Sequence, residues 1–329
     1  MSTSPFVQGR LLVVAFEGWN DAGEAASGAV RALKELLELY PIAEVDPEDY
    51  FDYQFNRPTI ANDDDGNREL IWPSVTIYGP TTPNTLDLEP NIDRADDIDR
   101  TDGIGSADGI ERTDGIERTD GISRSNVYLL LGTEPSRGWK TFTREILDVI
   151  DANQIQSIVF LGAMLADVPH SRPISVFTSS ENSLVRSVIG IERSSYEGPV
   201  GILSVLADAA EKSGVATMSI WASVPHYVHN APSPKATLAL LDKLEEILDV
   251  VIPRGDLVDE AAAWESGIDA LAGDDDDMAS YIEQLEQARD TVDSPEASGD
   301  AIAEEFERYL RRGGDKPDGG VAGDDPRRQ

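Results

Sequence analysis

The chain contains no cysteine, which excludes disulfides, thiol catalysis and cysteine-held metal sites. Histidine is almost as scarce. His170, His226 and His229 are the whole supply, so a histidine-rich metal centre is not expected, and only a carboxylate-dominated site stays open. No metal and no cofactor are assigned. Lysine is short as well, with six residues against 21 arginines. No apolar run approaches the roughly 18–20 residues of a membrane span, and the opening MSTSPFVQGR lacks the basic start and long apolar stretch of a secretory leader. A cytoplasmic location without membrane contact is the expectation. Positive charge is in deficit overall: 62 acidic residues face 27 basic ones, for a formal charge of −35. Phosphate backbones are repelled by such a chain, so nucleic acid is not an expected partner. An acidic, lysine-poor surface suits a protein folding in high salt, where ions screen its self-repulsion. A GC-rich coding sequence favours arginine over lysine too, and both explanations stand.

What is present fits a folded protein. With 329 residues, 40% of them hydrophobic, the chain can build one core of roughly 200–250 residues plus appendages, or two domains. Residues 1–255 alternate short apolar runs with amphipathic stretches. The runs 11–16, 74–78, 127–131, 157–161 and 217–222 read as strands, with weaker signals at 174–177 and 200–204. Several are apolar at nearly every position, as strands covered on both faces are. Helices fit at 24–39, ended by Pro41 and with Tyr40 on its apolar face, and at 139–153. Two more fit at 199–213, stopped by Gly214, and at 233–251, entered through Ser-Pro. This alternation predicts an α/β fold, a three-layer α/β/α sandwich around a mostly parallel sheet.

Two other regions differ in composition. Residues 91–125 hold five consecutive hexapeptides, ADDIDR, TDGIGS, ADGIER, TDGIER and TDGISR, with isoleucine at 98, 104, 110, 116 and 122. Five copies are too few for a stable hexapeptide coil, and the recurring Asp-Gly favours turns. This insert reads as an acidic disordered loop. Residues 256–329 are strongly acidic and carry helical patterns at 256–272, 278–291 and 299–312. They form a C-terminal helical extension (256–312), with Asp274–Asp277 capping the second helix, and a disordered tail (313–329).

Four stretches could carry chemistry, each with an architectural reading beside it. Phe16–Gly23 runs from a strand through Gly18, Trp19 and Asp21 to Gly23. A strand–Gly–helix junction can cradle phosphate, but GxGxxG and the P-loop lysine are missing, and Asp21 reads as a helix cap. Gly132–Phe142 places Glu134 and Lys140 at a strand end, where open α/β sheets bind ligands. Pro135, Trp139 and Phe142 serve equally as packing. Asp167, His170, Ser171 and Arg172 crowd one short stretch. That suggests a triad or an anion site, yet triads meet across distant segments and no G-x-S-x-G accompanies Ser171. A hydrogen-bonded loop accounts for the same residues. Pro225–Asn230 holds His226 and His229 with no adjacent carboxylate, and Tyr227 and Val228 as contact residues.

Together with FNRP, which contains Arg57, and RELIWP, these stretches resemble the proteasome assembly chaperone family in its long prokaryotic form. The resemblance rests on FEGWNDAGEAA, LLGTEPSRGWKTF, LGAMLADVPHSRP, YEGPVGILSVL and WASVPHYV followed by PSPKATLALL. It spans roughly 11–90 and 126–250, and YIEQLEQARD with SGDAIAEEFERYLRR is similar to the helical extension of actinobacterial members. The resemblance implies a phosphorylase/hydrolase-like sandwich, a homo-oligomer (a trimer by analogy), and protein partners that include proteasome subunits. The ending Pro326-Arg327-Arg328-Gln329 departs from the hydrophobic–Tyr–X tail of some relatives, so docking through the tail is not expected. The expected function is a protein-binding scaffold or chaperone without catalysis. The alternative is an enzyme acting on a nucleoside or other phosphate-bearing small molecule. Candidate ligand or interface residues are Gly18, Trp19, Asp21, Gly23, Arg57, Glu134, Trp139, Asp167, His170, Arg172, His226 and Tyr227.

Overall fold

The computed structural model describes residues 6, 9–62, 66–80 and 126–293. The hexapeptide insert, the helical pattern at 299–312 and the 313–329 tail lie outside the described residues.

A seven-stranded sheet organises the described chain. Its strands are β1 (Arg10–Glu17), β2 (Tyr40–Val45), β5 (Val75–Gly79), β6 (Val127–Thr133), β7 (Ile155–Ala166), β8 (Val176–Ser179) and β9 (Ala216–Pro225). They lie in the order β2-β5-β6-β1-β7-β9-β8. The four central strands, β6, β1, β7 and β9, are parallel, and β2, β5 and β8 add antiparallel edges. β3 (Thr59–Asn62) and β4 (Arg68–Ile71) form a separate hairpin.

β1 shows why the sheet has helices on both faces. Leu11 to Phe16 are buried without interruption. Leu11, Val13 and Ala15 face one apolar cluster, and Leu12, Val14 and Phe16 face the other. Side chains alternate along a strand, so a continuous apolar run needs cover on both sides. The first cluster is closed by α1 (Ala25–Leu37) and α6 (Pro234–Leu248), and α4 (Ser183–Ile189) contributes Val185. The second is closed by α3 (Trp139–Ala152) and α5 (Ile202–Lys212). In it Phe142 meets Phe16 and Tyr50 edge to face, with centroids 5.9 and 5.4 Å apart. Tyr50 ends the short α2 (Pro47–Tyr50). The three-layer α/β/α sandwich with a mostly parallel sheet is therefore the observed fold.

Two local expectations fail. The first helix stops at Leu37, where Glu38 turns left-handed at φ 45°, and Tyr40 and Pro41 begin β2 rather than extend the helix. β2 is an edge strand, where the missing proline N–H is tolerated. Residues 200–204 are not a strand: Gly201 is the N-cap of α5. The strands read at 157–161 and 217–222 are present and run further, to Ala166 and Pro225.

Two acidic helices follow α6. They are α7 (Leu257–Gly273) and α8 (Asp276–Asp293), close to the patterns read at 256–272 and 278–291. Asp275 Oδ1 accepts the backbone N–H groups of Asp277 and Met278, so it caps α8 as the charge pattern predicts.

Candidate functional site

The loops that leave the carboxyl ends of β1, β6, β7 and β9 carry nearly all the candidate residues. They sort into two bonded networks.

The first centres on the β1–α1 turn. Gly18 sits at φ +107°, a conformation that favours glycine. The backbone then runs back beside β7: the Ala163 N–H donates to Asn20 O at 2.8 Å, and Asp21 bridges to Ala163. This buries Asn20 at 1% exposure. Its Nδ2 donates to Glu134 Oε1 at 3.0 Å, and the same oxygen accepts the Ile202 N–H at 2.8 Å. Glu134 thus supplies the cap that Gly201 lacks. A side chain at 201 is excluded by close approach, because a Cβ there falls 2.4 Å from Asn20 Oδ1 and 2.8 Å from Glu134 Oε1.

Asp21 Oδ1 accepts the N–H groups of Ala26 and Ser27 at 2.7 and 3.2 Å, capping α1. Its Oδ2 is buried with no hydrogen-bond partner. Burial outweighs these bonds and Arg31, and the carboxyl is held above its ordinary 3.8. Gly23 adopts φ +60°, with its carbonyl accepting the Ser233 N–H at 2.7 Å. Glu17 pairs with Arg31. In the β6–α3 loop, the Trp139 indole donates to Pro135 O, and Ser136 Oγ donates to Asn56 Oδ1 at 2.7 Å, tying in the turn that bears Phe55. Arg57 is exposed and joins neither network.

The second network surrounds His170, which is 1% exposed. The Tyr227 hydroxyl oxygen accepts the His170 backbone N–H at 2.7 Å and lies 2.9 Å from Nδ1. Its proton is then directed at Nδ1, and Nε2, 3.0 Å from Asp269 Oδ1, donates to that carboxylate. Trp264 stands edge-on to the ring. The Lys235 ammonium donates to His170 O and Glu265. Arg172 grips Asp290 through two parallel bonds of 2.7 and 2.8 Å and reaches Glu286 at 3.4 Å. Ser171 Oγ also donates to Glu286. Tyr281 donates to Asp167 Oδ1 at 3.4 Å, and His226 Nδ1 lies 3.2 Å from the same oxygen.

These contacts answer three readings of the sequence. Asp167, His170 and Ser171 do not form a triad, because each bonds a different partner. The histidine His226 does have a carboxylate nearby, Asp167, delivered by the neighbouring loop. His229 points Nδ1 at its own turn's carbonyl, His226 O. The Asp167–Arg172 segment is held by hydrogen bonds, as the architectural reading requires, but its anchors come from α7 and α8. Burial and neighbouring carboxylates push the Tyr227 hydroxyl up to about 12, away from use as a base or nucleophile near neutrality.

Sequence reasoning missed Asn20, Lys235, Asp269, Glu286 and Asp290. Only the last pair left a signal: two carboxylates four residues apart on a predicted helix can take one guanidinium.

The described residues enclose a cleft of about 740 Å³ between β9, α5 and the 193–200 segment, with Trp221, Tyr196, Arg193 and Asp208 in its lining. None of the twelve candidates lines it. Among the described residues no group of three or more His, Asp or Glu could hold a metal ion, and no helix is long and apolar enough to cross a membrane.

The comparisons agree with this geometry. No curated protein matches the sequence. A crystal structure of a PAC2 family protein from Streptomyces avermitilis is 36% identical, with 83% of this chain and 99% of that chain covered and a TM-score of 0.64. A Mycobacterium tuberculosis proteasome-assembly chaperone homologue is 38% identical, with the same coverage and a TM-score of 0.63. The Pyrococcus furiosus archaeal proteasome activator PbaB shares the fold at 13% identity, with 80% of this chain and 93% of that chain covered and a TM-score of 0.53. The PAC2 family model matches residues 15–272, which hold the first network and the second as far as α7, and the chain belongs to the PAC2 family.

Proposed function

We propose that this protein is a polypeptide-binding scaffold of the assembly-chaperone type, with proteasome subunits as the partner class. One observation carries the reading. At the carboxyl ends of the central strands, six polar side chains are consumed internally: Asp21, Asn20 and Glu134 hold loops together, and His170, Arg172 and Asp167 hold α7 and α8. The same end turns apolar groups outward. Trp19 is 66% and Phe55 83% exposed, and Met164, Leu165 and Val200 are exposed beside the same loops. Exposed aromatics above a rigid base suit recognition of another protein surface. The relative named as a proteasome-assembly chaperone homologue supports the choice of partner.

The enzyme alternative gains support where Asp21, Glu134 and the Asp167–Arg172 segment converge on one shared pocket. They fall instead into two networks, and the 740 Å³ cleft contains none of them. Self-association belongs to the proposal, with the β3–β4 hairpin as the contact. Ile60, Leu70 and Ile71 are exposed on it, and a two-stranded hairpin gains stability by packing against something else.

The test is capture of purified proteasome α and β subunits by the immobilised full-length chain, with an unrelated acidic protein as control. Enrichment that is lost in the Trp19→Asp, Phe55→Ser double variant supports the reading. Recovery equal to the acidic control counts against it.

A further inference from the structure

In a chain of charge −35 with 27 basic residues and three histidines, one surface gathers basic groups. The β7–β8 loop supplies His170 and Arg172, the β9–α6 loop supplies His226 and Tyr227, and the first turn of α6 supplies Lys235. All but Tyr227 are basic side chains, and Tyr227 sets an aromatic ring among them. One acidic group, Asp167, belongs to the same surface and lies against His226.

What covers this surface is acidic and helical. Glu265 and Asp269 of α7 meet Lys235 and His170. Glu286 and Asp290 of α8, one turn apart on one face, both meet Arg172. Ile282, a further turn back, is the one buried side chain of α8 among its described residues. Beyond it, Tyr281 stands edge-on to the His226 and Tyr227 rings, and the apolar grip on α8 is small. Its ion pairs are partly exposed, with Arg172 33% and Asp290 56% accessible, and exposed pairs weaken with salt. Charge positions α8, and burial does little to keep it there.

We propose that the surface formed by Arg172, Ser171, His226 and Tyr227, beside the His170 and Lys235 groups that α7 covers, is a binding site for acidic helical segments, and that α8 occupies it in cis as a strap that salt or a competing acidic helix displaces. The segment that fits is specified by α8 itself: an apolar residue followed by carboxylates at the fourth and eighth positions, as in Ile282, Glu286 and Asp290. Carboxylates so spaced lie along one helix face, where the Arg172 fork takes the last of them in two bonds. This site is distinct from the apolar Trp19–Phe55 surface, so its failure leaves the scaffold reading untouched.

Two measurements on the full-length chain decide it. Hydrogen exchange is followed at about 0.1 M and about 1 M NaCl. The amides of 276–291 should exchange at least about tenfold faster in high salt, with β1 and β7 unchanged. Arg172→Gln should give that faster exchange already at low salt. In the second, a fluorescent synthetic peptide of residues 276–291 is titrated into three proteins. It should bind the Glu286→Gln, Asp290→Asn variant, whose own strap is weakened, at least about tenfold more tightly than wild type. Adding Arg172→Gln to that variant should abolish the gain. α8 exchange that ignores both salt and Arg172→Gln, or peptide binding that ignores Arg172, overturns the proposal. Unchanged β7 exchange in each variant separates loss of the site from loss of the fold.

Discussion

Glu134 accepts the Asn20 side-chain amide at 3.0 Å through the oxygen that also takes the Ile202 backbone N–H at 2.8 Å. One carboxylate oxygen therefore joins the loop after β1, the loop after β6 and the start of α5. Glu134→Ala strands a buried amide and an uncapped helix end, and should cost about 2–4 kcal/mol. Glu134→Gln keeps a carbonyl in place and should cost about 1 kcal/mol or less. Urea unfolding of both variants checks the difference. Equal losses would mean that charge, not acceptor geometry, is what matters.

Gly201 is predicted to be irreplaceable for a steric reason. Its φ is ordinary, at −88°, but a methyl group there collides with Asn20 and Glu134. Gly201→Ala should therefore destabilise by about 1–3 kcal/mol. An Asn20→Ala background, which makes room, should recover part of the loss. The double-mutant cycle measures that coupling.

Asp21 should make stability fall as pH rises. Burial raises its carboxyl above 3.8 in the folded chain, so between the unfolded and folded values the native state holds more protons than the unfolded one. The stabilisation is complete below the unfolded value and is lost as pH climbs through the folded one. Asp21→Asn keeps an acceptor for the Ala26 and Ser27 amides and removes the titration. Urea midpoints from about pH 4 to about pH 7 should decline less in Asp21→Asn than in wild type. Parallel profiles would contradict the assignment.

Phe142 is fully buried between Phe16 and Tyr50, so Phe142→Ala should cost about 3–5 kcal/mol. Half-buried Trp139 holds its indole hydrogen bond at the rim, and Trp139→Phe should cost about 1 kcal/mol. Thermal unfolding of the two variants orders them.

The pattern of what the sequence revealed follows from range. Leu11–Phe16 of β1 and Ile158–Leu161 of β7 are apolar at every position, and that alone predicts central strands of a covered sheet. Asp21 announces itself as a cap because its partners are five and six residues away. β2 was hidden by Pro41, which reads as a helix stop and is tolerated at a sheet edge. The β3–β4 hairpin was hidden because its residues pack against so little of the core that no burial pattern marks them. The partners of His170 and Arg172 lie 57 to 118 residues downstream. Nothing local in VPHSRP could name them, which is why a segment that looks catalytic in one dimension turns out to be the anchor of two helices. Asn20 stood unnoticed between two candidates, Trp19 and Asp21, because its role depends on Glu134 arriving from another strand.

The outward apolar groups at the strand ends are the proposed contact with a protein partner. Hydrogen-exchange footprinting of the full-length chain with and without saturating proteasome α or β subunits tests it most directly. Slowed exchange is expected at 17–21, 52–57, 163–166 and 198–202, with the 193–197 part of the cleft wall unaffected. Slowed exchange confined to the cleft around Trp221 and Arg193, or none at any of these segments, would contradict it.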